Sequence, residues 1–164
     1  LEPIKAVLES AHLTAEKTVL KLLIENRDYY DLIKDKLGKE DFLNYECNII
    51  ANIIFDKYTK EPQLTQVDSQ MILKELKNRD NIDFQIVDEI IDNNYDFLPK
   101  DKIKILEDLI RTIKYSKLKM KRKEIAEEIQ KIESKKDKDE GDANKFKSLC
   151  LKLRELDKEI ESYI

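Results

Sequence analysis

Two glycines and three prolines are all that 164 residues contain. A many-stranded sandwich, barrel or doubly wound sheet has almost nothing here from which to make its turns, and an all-α fold is the expectation. Gly38 and Gly141 stand too far apart to assemble a phosphate-cradling loop of the G-x-x-x-x-G-K-[ST] or G-x-G-x-x-G type. One histidine, His12, and two distant cysteines, Cys47 and Cys150, cannot supply the clustered ligands of a structural zinc site. Two cysteines are also far fewer than a small disulfide scaffold uses, so reduced thiols in a cytosolic protein are expected. No run approaches the roughly 20 apolar residues of a membrane-spanning helix, and the first residues lack a basic-then-apolar signal pattern. A soluble, cytoplasmic protein follows as an expectation, and the opening at Leu1 reads as a lead-in to one domain of a longer chain, with residues 1–11 as linker.

What the sequence does contain is charge and apolar bulk, at 40% and 41% of residues. A chain of about 150 residues can bury roughly 70% of the surface its unfolded form exposes, enough for an independent core. The net charge of −4, from 31 basic and 35 acidic residues, argues against a generic polyanion or membrane binder. Catalytic signatures are sparse. Asp137-x-Asp139 resembles the D-x-D that holds magnesium in phosphoryl transferases, but it lies in a charged turn between helical segments, not at strand ends. Asp88 and Glu89, or Glu127 and Glu128, are adjacent on helices and point in different directions. With His12 alone a hydrolase triad could be built only once, and nothing flanking Thr14, Ser69 or Ser116 suggests a strained nucleophile turn. No catalytic, cofactor-binding or metal-ligating residue is expected in this chain, and no enzymatic activity.

Apolar periodicity then sets out the helices. Ile4, Val7 and Leu8 follow Pro3 at helical spacing, and Thr14 is placed to cap a helix reading AEKTVLKLLIEN. Asp28 is placed to cap a short second helix, YYDLIKDKL, that Gly38 ends. From Asp41 to about Lys60, Phe42, Leu43, Cys47, Ile49, Ile50, Ile53 and Ile54 share one broad face, which suits a central helix stopped by Glu61-Pro62. Shorter helices are expected near Asp68 to Asn78 and Asp83 to Asn93, with Asn93-Asn94 and Leu98-Pro99 closing the stretch.

From about Lys100 to Lys136 nothing interrupts the helical pattern. Ile103, Leu106, Leu109, Ile110 and Ile113 share one stripe, while Leu118, Ile125, Ile129 and Ile132 share another, rotated by about 110°. One helix is thus expected to serve two cores. The segment KDKDEGD breaks the pattern, and Phe146, Leu149, Leu153, Leu156, Ile160 and Tyr163 then recur at alternating spacings of three and four, a coiled-coil seam. Folding the chain back at residues 139 to 140 sets Ile132 beside Phe146, Ile125 beside Leu153 and Leu118 beside Ile160. The expected architecture is a multi-helix bundle over residues 12–114, followed by a long helix that leads into an antiparallel helical hairpin over 115–164.

Arg111, Lys114, Lys117, Lys119, Lys121, Arg122 and Lys123 form a run without an acidic residue, fit for a solvated connector, an acidic partner surface or a phosphate backbone. The hairpin buries one narrow seam and has little stability of its own. It either folds onto the bundle, pairs between chains as a coiled coil, or serves as an adaptor by the helix-in-groove mode.

The stretch AEKTVLKLLIENRDYYDLIKDKLGKEDFLNYECNIIANII, followed by short helices, a long helix and a terminal hairpin, resembles the C-terminal helicase-binding domain of bacterial DNA primase. Ala15 to Ile24 match that family's A-E-[RK]-x-L-L-x-L-[LM]-[LI]-like opening helix, with Thr18-Val19 where the family varies, and Glu40-Asp41-Phe42 fits its aromatic-bearing helix start. The resemblance implies a bundle like the N-terminal domain of the replicative helicase and a hairpin that docks on that helicase hexamer. Zinc and magnesium would then belong to other domains of the parent primase, where primer synthesis is done. Direct DNA contact would be secondary, and no membrane partner is implied. No contact residue transfers by motif. Hairpin geometry instead nominates Leu151, Leu156, Ile160, Tyr163 and Ile164 as apolar contacts, with Lys152 and Arg154 as polar flanks.

Overall fold

The computed structural model describes residues 8, 10–92 and 99–164. Among these, regular structure is entirely helical: α1 (Ser10–Glu25), α2 (Arg27–Ile33), a 3₁₀ turn (Lys39–Asp41), α3 (Tyr45–Lys60), α4 (Ser69–Leu76), α5 (Phe84–Ile91), α6 (Pro99–Glu133) and α7 (Glu140–Glu161). No helix among the described residues is long and apolar enough to cross a membrane. Two compact units divide the chain, Leu1–Ile113 and Lys114–Ile164.

In the first unit, Val19, Leu20 and Leu23 of α1 bury against the same core as Ile50, Ile54 and Tyr58 of α3, Ile72 and Leu76 of α4, and Val87 and Ile90 of α5. Leu106, Ile110 and Ile113 of α6 complete that core, whereas Ile103 of the same expected stripe is 48% exposed. α4 and α5 begin after Asp68 and Asp83, whose side chains accept the backbone N–H of Gln70 and Gln85. α6 begins at Pro99, a first-turn position that costs no hydrogen bond because the N–H there has no helical partner.

Several expected boundaries shift. Thr14 lies inside α1, where its carbonyl accepts from the Thr18 hydroxyl, because the helix starts at Ser10. Asn26, rather than Asp28, caps α2, its side chain accepting the Asp28 N–H. α2 ends at Ile33, and Gly38 sits in extended backbone at φ −99° ahead of the 3₁₀ turn. The central helix begins at Tyr45, not Asp41, with Asn44 as its cap accepting the Cys47 N–H. Gly141 is inside the first turn of α7 and makes no reversal. The closure at Asn93-Asn94 and Leu98, and the spacing at Ile4 and Val7, lie outside the described residues.

A polar cluster is buried where α1 meets the start of α3. Glu16, with no exposed surface, accepts Leu43 N–H through Oε2 at 2.8 Å and Asn44 N–H through Oε1 at 3.1 Å. His12 Nε2 lies 2.5 Å from Glu16 Oε2, while His12 Nδ1 is buried with no partner. Only the Nε2–H tautomer fits, since a proton on Nδ1 would meet no acceptor. Cys47 lies in the same region, and burial, with Glu16 nearby, pushes its thiol well above the usual range. A thiolate is the reactive form, so Cys47 is expected to resist iodoacetamide in the native protein and to react once urea unfolds it. Mass spectrometry reads this directly, with half-exposed Cys150 as the internal comparison.

Candidate interaction surface on the second unit

The second unit contains the last part of α6 and all of α7, joined by residues 134–139. Asp139 caps α7 reciprocally with Asp142: Asp142 N–H donates to Asp139 Oδ1 at 2.7 Å, and Asp139 N–H to Asp142 Oδ2 at 3.2 Å. Lys135 bridges to Asp142 at 3.0 Å, and chiefly this bond holds the Asp142 carboxyl below the usual carboxylate range. The Asp139 carboxylate of the D-x-D segment is therefore engaged as a helix cap.

Further along the pair, Arg122 bonds Asp157 at 2.5 Å and Tyr115 meets Tyr163 at a ring separation of 6.1 Å. Leu118, Ile132 and Leu149 are the buried apolar side chains of this unit, and Ile125, Ile129, Leu153, Leu156 and Ile160 are half-buried. Two helices bury one strip and leave the flanks of that strip open.

Two depressions lie on those flanks. Beside the turn, Ile132, Glu133, Lys138, Asp142, Ala143, Phe146 and Lys147 line a cavity of about 510 Å³. Ala143, one turn before Phe146 and Lys147, has no side chain long enough to cover the aromatic. Midway along the pair, Lys121, Glu124, Ile125, Lys152, Glu155, Leu156 and Glu159 line a groove of about 220 Å³.

The seven nominated contact residues do not form one face. Lys152 and Leu156 share the midway groove. Ile160 and Tyr163 are half-buried toward the seam, whereas Leu151, Arg154 and Ile164 are exposed, Leu151 at 60% and Ile164 at 89%. None of the seven lines the larger cavity. Its signal in the sequence is the small-large pair Ala143 and Phe146 beside the turn, which a reading of the seam alone passes over.

The basic run is partly engaged within the chain. Arg122 pairs with Asp157, Lys119 lies 5.3 Å from the Tyr115 ring centroid, and Arg111 and Lys117 also have partners. Among the described residues no three histidine, cysteine or acidic side chains are grouped to hold a metal ion. No family model matches the chain, and neither a curated protein nor a solved structure matches it.

Proposed function

We propose that this chain is a non-catalytic interaction domain of the kind that ends bacterial DNA primase. In this reading it binds the N-terminal region of the replicative DNA helicase hexamer in the cytoplasm, recruiting primase to the replication fork and modulating helicase and priming activity. The first unit is then the helical bundle and the second the docking hairpin. The observation that carries the reading is the open apolar cavity beside the α6–α7 turn, in a unit too small to cover its own flanks. A protruding side chain of a partner helix fits such a cavity, and central apolar anchors dominate binding at interfaces of this sort.

The test is calorimetric titration against the N-terminal domain of the replicative helicase from the same organism. Ala143 is exposed, so Ala143→Arg fills the cavity mouth while leaving helix and seam intact. The unaltered chain should bind, Ala143→Ser should bind equally, and Ala143→Arg should bind at least about tenfold more weakly. An unaltered chain that gives no complex overturns the reading.

A further inference from the structure

Two ion pairs tie this unit together, Lys135 with Asp142 at the turn and Arg122 with Asp157 between α6 and α7. The midway groove lies between α6 and α7 and combines an apolar floor with a charged rim. Its rim carries Glu124, Glu155 and Glu159 with Lys121 and Lys152, and none of these five has an ion-pair partner among the described residues. Glu155 and Glu159 stand four apart on α7, a like-charge spacing that disfavours the isolated helix. Beneath them, half-buried Ile125 and Leu156 form an apolar floor.

We propose that this groove receives an amphipathic helix of the partner, with one apolar side chain on Ile125 and Leu156 and lysine or arginine side chains paired with Glu124, Glu155 and Glu159. The proposal rests on the docking reading above and adds the chemistry of what docks. Three carboxylates against two ammonium groups give the rim a local excess of negative charge, which pairs with lysine or arginine side chains of a docked helix. Covering the groove removes water from the charges, which makes each new pair stronger than an exposed surface pair.

Glu124, Glu155 and Glu159 are all exposed, so the triple variant E124Q/E155Q/E159Q removes charge without disturbing the seam. Circular dichroism should show unchanged helix content. Titrated against the helicase N-terminal domain, the unaltered chain should bind more weakly as salt rises. The triple variant should bind about tenfold more weakly at low salt, and its affinity should scarcely respond to salt. Equal affinity and equal salt response in the two chains would overturn the proposal; an accompanying loss of binding in Ala143→Arg would leave the docking reading standing. No binding by the unaltered chain would remove both. Sedimentation showing a dimer that the triple variant dissolves would assign the groove to a second copy and overturn the helical partner.

Discussion

Glu16→Gln should destabilise the first unit by about 3 kcal/mol, a large part of the 5–15 kcal/mol that holds a typical domain together. The substitution keeps the size and shape of the side chain, so packing changes little. What changes is the hydrogen-bond arithmetic. The two carboxylate oxygens each accept a different backbone N–H, Leu43 through Oε2 and Asn44 through Oε1. An amide offers one oxygen and one NH₂, so either orientation points a donor at a donor. The misplaced N–H has no water to turn to, because Glu16 has no exposed surface. His12 restricts the choice further, since its Nε2 already faces Oε2. Chemical denaturation followed by circular dichroism should give a lower urea midpoint with an unchanged slope. His12→Ala should cost less, about 1–2 kcal/mol, because Glu16 keeps both backbone donors. A Glu16→Gln midpoint equal to that of the unaltered chain would show that the cluster contributes nothing.

The same cluster explains where the sequence could and could not be read. Helical character throughout followed from glycine scarcity and apolar period, and Asp68 and Asp83 announced α4 and α5 because a cap acts on residues two or three positions away. The start of α3 was not legible. Phe42 and Leu43 fit the apolar face of the coming helix, yet they lie outside it, because Asn44 is extended and caps α3 through the Cys47 N–H, while Glu16, 27 and 28 residues earlier, holds the Leu43 and Asn44 N–H groups. Gly38 and Gly141 misled because neither is a left-handed helix end: Gly38 is extended ahead of the 3₁₀ turn that Asp41 caps, and Gly141 lies in the first turn of α7 behind the Asp139–Asp142 cap. On the second unit, the heptad spacing marked Leu156, Ile160 and Tyr163, all of them half-buried in the structure. The glutamates of the midway groove were hidden among charges that each look like solvated helix surface. They become one feature only when α6 and α7 lie side by side, a relation that local periodicity does not carry.

Arg27→Ala should cost about 2–3 kcal/mol, and Arg27→Lys about half that, for a side chain that the sequence presents as one more charged residue at a helix start. Its guanidinium donates to three carbonyls at and beyond the C-terminal end of α3: Tyr58 O at 2.9 Å, Glu61 O at 3.0 Å and Leu64 O at 3.2 Å. Helix ends leave such carbonyls unpaired, and here Glu61-Pro62 ends α3 without a glycine to satisfy them. The planar cation also lies 5.2 Å from the Tyr58 ring centroid and 5.9 Å from that of Tyr30, so it fills space as well as carrying charge. Its backbone N–H bonds Thr65 O at 2.7 Å, and Val67 N–H bonds Ile24 O at 3.0 Å, so the 61–67 segment is fastened to the α1–α2 junction from both directions. Beneath it the Tyr58 hydroxyl donates to Leu23 O, and burial raises that phenol to about 12 despite the nearby cation, so the donor stays protonated through the neutral range. A lysine reaches one or two carbonyls from a single point and stacks poorly, hence the intermediate loss. Hydrogen exchange gives a local reading besides the global midpoint: the Val67 amide should lose protection more than those of Ile50 and Ile54 in α3. Uniform loss of protection across the first unit would mean that Arg27 contributes to the whole core and not to this fastening.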